Sequence, residues 1–462
     1  MSTDALWIRG GTVVTAESET PADLWIADGT IRAVGDAAAL ATAGMPPDTP
    51  PLDAAGCLVF PGFIDPHVHA HLPLPSTSAR STYANTSRAA LHGGTTTIMD
   101  FAGSGLEPDL PTAWSAWRAA AEGQSSCDWH WHVTVTHWNA RVRRHLERLV
   151  REEGVTSLKI YLAYKPTLAI SDEDLYQVLM FANAFDLTVL CHCENAALVP
   201  ALQRRLLIAG KTGPEWHEPS RPPMVEAEGV TRFLTFAAAT GARAYVVHVS
   251  SREALDAAER FRGRVRDLRL ETMIHYLLLD SSYTARPDFE GAKWVLSPPL
   301  RTPDDQAALW AALADGRIDT LATDHCPFDF EGQKTLGRGD FSKIPNGIGG
   351  VEERIELALT HGVLPGKLTA RRLVEVASAN PAKIFGLYPR KGTIAPGSDA
   401  DLAIWDPAGE RTIANATQHL GTDYNPYEGL PLRGHFRAVL LRGTPMVQDG
   451  AFTAPEGLGL RV

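Results

Sequence analysis

Six residues pair a side chain able to bind a metal or move a proton with a place at the end of an apolar run. They are His67, His69, Lys159, His192, His248 and Asp324. Alternate side chains of an extended segment share a face, so the His67-x-His69 pair can aim both imidazoles at one ion. His192 in VLCHCEN and His248 in YVVHVSS offer a second pair of nitrogen donors, and Asp324 in LATDHCPF offers an oxygen. Another His-x-His pair, His130 and His132, is embedded among tryptophans in WHWHVTVTH and is expected to pack within a strand. Cys191 and Cys193 flank His192 and face the other way, so they too are expected to pack.

Lys159 lies in SLKIYLAY, a segment that reads as a buried strand, where an isolated ammonium loses its hydration at high cost. Two readings answer that cost. The lysine sits at a rim beside a carboxylate, or its amine has added carbon dioxide to form a carbamate. Four histidines and one aspartate carry few ligands and little negative charge for two divalent ions. A bridging carbamate would close that gap. Asp324 is a candidate proton shuttle as well as a ligand.

These groups need elements that bring them to one place. Between about Pro61 and Ala379, short apolar runs at 59–67, 95–101, 130–137, 157–163, 188–193, 244–250, 268–274 and 320–325 alternate with amphipathic stretches. PTAWSAWRAAAE, DEDLYQVLMFANAF, REALDAAERF and PDDQAALWAAL are four of the latter. Eight strands separated by helices predict an α/β fold, a (β/α)8 TIM barrel. The six residues then fall at the ends of five different strands, where barrel enzymes keep their working groups. Both chain ends read differently, as short strands between Gly and Asp turns, in ALWIRGGTVVTA and ADLWIADGTIRAVGD and again in ADLAIWDP and AVLLRGTPMVQDG. They predict a small β-sandwich assembled from residues 1–60 and 380–462 around a barrel of 61–379.

Composition narrows the function. Of 462 residues, 43 are Lys or Arg against 54 Asp or Glu, a formal charge of -11, which argues against nucleic acid or an anionic membrane as the main partner. Five cysteines in so long a chain do not make a disulfide framework. The opening MSTDALWIRGG has no signal-peptide pattern, and no run approaches ~18 apolar residues, so a cytoplasmic protein without membrane spans is expected.

PGFIDPHVH, GGTTTIMDF, SLKIYLAYK, CHCEN, SRPPMVEAEGVTR, SPPLR, ATDHCPF, FSKIPNGIGGVEER and DYNPYEGLPLRG, in this order, resemble segments of the dihydropyrimidinase and D-hydantoinase family, cyclic amidohydrolases of the amidohydrolase superfamily. The resemblance spans nearly the whole chain. It implies two zinc ions, one held by His67, His69, carbamylated Lys159 and Asp324, the other by Lys159, His192 and His248. It also implies that Tyr164 binds substrate and steadies the oxyanion, and that main-chain groups of Ser297 and Asn346 hydrogen-bond the ring amide. Leu74 and Tyr161 would line the pocket for the ring substituent. The implied reaction opens dihydrouracil or a 5-substituted hydantoin to an N-carbamoyl amino acid, with Asp324 acting as base and then acid. The implied assembly is a homotetramer or homodimer.

Three departures bear on substrate range rather than on the ligands. Cys191 and Cys193 surround the third histidine, Glu271-Thr272-Met273-Ile274-His275-Tyr276-Leu277 replaces a usual Glu-Thr-Cys-Pro-Gln-Tyr-Leu, and Tyr161 replaces a common phenylalanine. Allantoin or another cyclic imide or lactam is therefore the alternative substrate. Ala70, His71 and Leu72 stand where a dihydroorotase carries a carboxylate-gripping arginine. A non-catalytic scaffold of the dihydropyrimidinase-like kind would have lost the ligands that this chain keeps.

Overall fold

The structure, a computed structural model, describes residues 5–73, 77–103 and 109–462. Eight parallel strands pair in chain order: β1 (Phe63–Asp65), β2 (Thr95–Ala102), β3 (Asp128–Thr134), β4 (Ser157–Tyr161), β5 (Thr188–His192), β6 (Arg243–Val246), β7 (Leu268–Met273) and β8 (Thr320–Ala322). Every residue of β2 and β3 is buried, as expected where helices cover the outside and side chains fill the inside. At least one helix follows each of the first seven strands and packs around the barrel. Most start on a capping side chain that accepts a main-chain N–H, among them Thr82, Asp109, Asn139, Ser171, Ser251 and Thr302.

The seam between β8 and β1 closes without a regular ladder. Val68 bridges His325, and His69 N–H donates to the His325 carbonyl at 2.8 Å. Fully buried Arg354 donates to Ile64 O and Leu321 O at 2.9 Å each and to Thr95 Oγ1 at 3.0 Å. A guanidinium thus ties carbonyls of the first and last strands together across the seam.

One expected element divides. The run 59–67 forms two strands, Leu58–Pro61 in another sheet and β1 in the barrel. Gly62 lies between them, so close to Thr96 that an added Cβ would stand 2.1 Å from its Oγ1. Leu58–Pro61 belongs to a seven-stranded sheet that also takes Thr12–Val14 and Glu19–Pro21 from the first part of the chain, and Leu402–Thr412, Pro431–Leu441, Thr444–Gln448 and Ala451–Phe452 from the last. A four-stranded sheet of Leu6–Arg9, Asp23–Ala27, Thr30–Gly35 and Pro51–Asp53 faces it across a core that includes Ile8, Leu24, Ile26, Val59, Leu402 and Leu440. The barrel is tied to these strands by Lys391, whose buried ammonium lies 2.7 Å from Asp128 of β3 and 2.5 Å from Asp401. Asp128, Asp399 and Asp401 lie close enough to hold a cation, and that lysine is already among them.

All five cysteines are unpaired and buried. Among the described residues no helix is long and apolar enough to cross a membrane.

Candidate metal centre

Lys159 and His192 lie within β4 and β5, while His67, His69, His248 and Asp324 lie just past β1, β6 and β8. The Val68 bridge keeps 67–69 extended, so the alternation expected of the His-x-His pair holds beyond the strand's own end. Three residues of the mouth have positive φ: Tyr164 at 71°, His248 at 40° and Asp324 at 48°. That conformation is disfavoured for side chains larger than glycine and concentrates at functional sites. At Tyr164 a turn sustains it, the Tyr164 carbonyl accepting from the amides of both Thr167 and Leu168 at 3.0 Å.

The side chains converge. His67 Nε2 and His69 Nε2 lie 3.1 and 3.0 Å from Asp324 Oδ1, a group close enough to share one ion. His192 Nδ1 lies 2.9 Å from His248 Nε2. The outward nitrogens of two of these rings are held by carboxylates. His67 Nδ1 donates to Glu271 Oε1 at 2.7 Å, and His192 Nε2 donates to Glu194 Oε2 at 2.8 Å. Those bonds put the protons outward and turn the ring lone pairs inward. An inward lone pair of His67 then faces the Asp324 carboxylate, and that of His192 faces a second imidazole nitrogen. A cation placed among these atoms would take up the inward lone pairs and the carboxylate oxygen together, so the donor set fits divalent cations.

Burial disfavours the charged form of His67, yet Glu271 and Asp324 hold its pKa above the ordinary value. Burial works against ionised Asp324 as well, but His67 and His69 keep its pKa well below the usual carboxylate range. Burial lowers His192 and His248, the latter helped by the adjacent His192. Lys159 is 1% exposed, and burial brings its amine down to about 8 against the opposing pull of Asp324 and Glu271. Its Nζ lies 4.7 Å from the Phe101 ring centroid and 5.0 Å from that of Tyr161. Among the described residues no carboxylate comes within 4.0 Å of it, so the rim ion pair read as one alternative is not formed.

A cavity of about 270 Å3 opens over this centre, lined by His67, His69, Lys159, Tyr161, Tyr164, His192, His248, Ser297, Asp324 and Asn346. Every site residue named from sequence is thereby brought together except Leu74, which lies outside the described residues. Leu72, Thr167, Leu168, Cys326 and Gly347 complete the wall. His130 and His132 stand apart, as expected. His130 Nδ1 bonds the Val462 carbonyl at 2.6 Å, and His132 bridges Ser157 Oγ and the Pro66 carbonyl at 2.6 and 3.0 Å. Cys191 and Cys193 belong to the apolar core.

Sequence reasoning missed the groups behind the ligands. Glu271, fully buried, also accepts from His248 N–H at 3.1 Å and from Tyr245 Oη at 2.7 Å. Glu194 accepts from Arg221 at 2.5 Å. Burial raises its pKa, but Arg221 and His192 more than reverse that and hold it ionised. The one available signal was Glu194 itself, two residues past His192 in CHCEN.

The family model described as the amidohydrolase family matches residues 58–444. The chain is 40% identical over 452 residues to a D-hydantoinase of Geobacillus stearothermophilus, covering 98% of this chain and 95% of that one. It is 41% identical over 452 residues to a D-hydantoinase of Streptomyces coelicolor, covering 98% and 96%. The crystal structure of a dihydropyrimidinase from Brevibacillus agri superposes with a TM-score of 0.96 at 40% identity, covering 99% of this chain and 98% of that one. Matched along its length in sequence and in fold, and keeping a converging set of imidazole and carboxylate donors at the barrel mouth, the chain belongs to the amidohydrolase family, in its hydantoinase and dihydropyrimidinase branch.

Proposed function

We propose that the protein hydrolyses a cyclic amide bond in a ureide or imide ring at two divalent metal ions. The observation that carries this is the convergence of five donor atoms from four barrel strand ends on one small cavity beside a buried lysine. His67, His69 and Asp324 hold one ion, His192 and His248 the other, with zinc the fit for imidazole and carboxylate donors. Lys159, as a carbamate, would supply ligand oxygens to both. Its neutral amine adds to CO2, forming an N–C bond and releasing a proton, which turns a stranded cation into a two-oxygen anion. Divalent cations, when bound there, would supply Lewis acidity at the ring carbonyl and lower the pKa of a water toward about 7.

The chain's own groups do the rest. Asp324, held ionised by its histidines, takes the proton of the attacking water and returns it to the ring nitrogen as the C–N bond breaks. Burial keeps the Tyr164 hydroxyl protonated well past neutrality, so it remains a donor to the developing oxyanion. Main-chain groups of Ser297 and Asn346 hold the ring amide, and Tyr161 faces the ring substituent. Dihydrouracil would give N-carbamoyl-β-alanine, and a 5-substituted hydantoin an N-carbamoyl amino acid. Residues 61–379 form the catalytic unit, working in a cytoplasmic homotetramer or homodimer.

Metal-loaded enzyme assayed with dihydrouracil, hydantoin, 5-substituted hydantoins, allantoin, dihydroorotate and simple cyclic imides tests the reading. Ring opening of the first three classes is expected. Turnover of allantoin or a cyclic imide alone would move the assignment to that ring, and no opening of any would refute it.

A further inference from the structure

Lys334 is fully buried, and the mechanism above gives it no role. Its ammonium donates to three main-chain carbonyls at 2.7 Å each, those of Val295, Pro345 and Gly347. Three donors meet three acceptors, and among the described residues no carboxylate lies within 4.0 Å, so carbonyl dipoles, with the Phe328 ring centroid 5.6 Å away, answer the charge. The acceptors belong to the two loops that wall the cavity, at Ser297 and Asn346. Val295 stands two residues before Ser297, while Pro345 and Gly347 flank Asn346. Gly347 N–H donates to Val295 O at 3.1 Å and joins the loops directly.

The other carbonyls beside Ser297 are also taken up by buried side chains. His217 Nε2 donates to Leu296 O at 2.8 Å, and Tyr276 Oη to Pro298 O at 2.6 Å. Ser297 and Asn346, in contrast, make no main-chain hydrogen bond to any described residue. Their neighbours are saturated from behind, and their own N–H and C=O groups are left for whatever enters the cavity.

We propose that Lys334 is a positioning residue for substrate recognition: its ammonium clamps the Val295–Ser297 and Pro345–Gly347 segments together and so fixes the spacing of the main-chain groups that grip the ring amide. This rests on the cyclic-amide reading. K334M removes all three donors while filling nearly the same space with a thioether, and the carbonyls then turn to satisfy themselves elsewhere. Binding that depends on their spacing suffers first, and metal chemistry suffers least.

The test is K334M in the metal-loaded enzyme, with hydantoin and dihydrouracil as substrates and acetohydroxamate, a ligand for the metals alone, as control inhibitor. KM is expected to rise about tenfold or more, with kcat within about threefold of wild type. Metal content and acetohydroxamate inhibition should stay as in wild type, whereas general damage to the site would weaken both ligands together. Should K334M not fold, K334Q, which keeps two donors on a shorter stem, is expected to raise KM by about fivefold with the same unchanged inhibition. A wild-type KM in whichever variant folds, or equal weakening of substrate and acetohydroxamate, overturns the positioning role beside an active wild type. Failure of the hydrolase reading would show instead in the wild type, as no ring opening at all.

Discussion

Replacing Glu271 by Gln isolates one charge behind the metal centre. The carboxylate is fully buried and accepts three hydrogen bonds: Oε1 from His67 Nδ1 and His248 N–H, Oε2 from Tyr245 Oη. Gln is nearly isosteric, and its carbonyl can serve both N–H donors. Its amide can donate to Tyr245 Oη, which lies 2.6 Å from Thr320 Oγ1 and can pass its own proton there. The fold should therefore survive while the negative charge is lost. A hydrogen bond to a charged partner is worth about 1.5–3 kcal/mol and a neutral one about 0.5–1.5, so the His67 bond alone loses about 1–1.5 kcal/mol. That is about tenfold in the basicity of the inward Nε2, and loss of a partner behind a ligand costs about 10–100-fold in metal affinity. Competition against a chromogenic chelator at neutral pH measures it. We expect the E271Q affinity to fall at least about tenfold with the thermal midpoint nearly kept. Wild-type affinity in a folded E271Q would refute the idea that this carboxylate sets the tautomer and basicity of His67.

Three other perturbations have defined outcomes. D324N should keep a measurable share of its metal yet lose the chemical step, and a near-normal kcat would rule Asp324 out as the proton shuttle. R354M removes a donor from two strand carbonyls and leaves buried Asp65, 3.7 Å away, without its cation; it should cost about 3–5 kcal/mol in denaturant unfolding, and a midpoint as in wild type would mean the seam does not depend on this side chain. Burial pushes Glu356 from its ordinary 4.5 up to about 7, partly offset by Arg411, so its folded form binds the proton more tightly than the unfolded chain. Its contribution to stability is present below 4.5 and lost as pH rises through 7. The melting temperature of E356Q relative to wild type should therefore climb between pH 5 and pH 8, and a pH-independent difference would contradict the burial effect.

What was legible from residue order was whatever repeats or alternates. Eight apolar runs separated by amphipathic ones gave the strand order, and alternation alone separated inward His192 from Cys191 and Cys193. Alternation is the same in both His-x-His pairs, and only the surroundings, tryptophans around His130 and His132 against the PGFID segment before His67 and His69, told them apart. What was illegible was long-range pairing of charge. Glu271 lies 204 residues from His67, and Arg354 290 residues from Ile64, so nothing local marks either as buried and partnered. Lys334 in GQKTLG looks like a surface lysine in a polar turn. The break at Gly62 was hidden for a related reason: the run 59–67 is apolar throughout, and only the close approach of Thr96 shows where one sheet ends and the barrel begins.

The dependence of the centre on Lys159 is tested most directly by metal content per chain in wild type and K159A, with 13C NMR of wild type reloaded under 13CO2. Two ions per chain, a protein-bound carbamate signal, and loss of both in K159A with a retained fold are predicted. Two ions and full turnover in K159A, or a fully loaded active wild type with no carbamate signal, would contradict the two-metal centre bridged by this lysine.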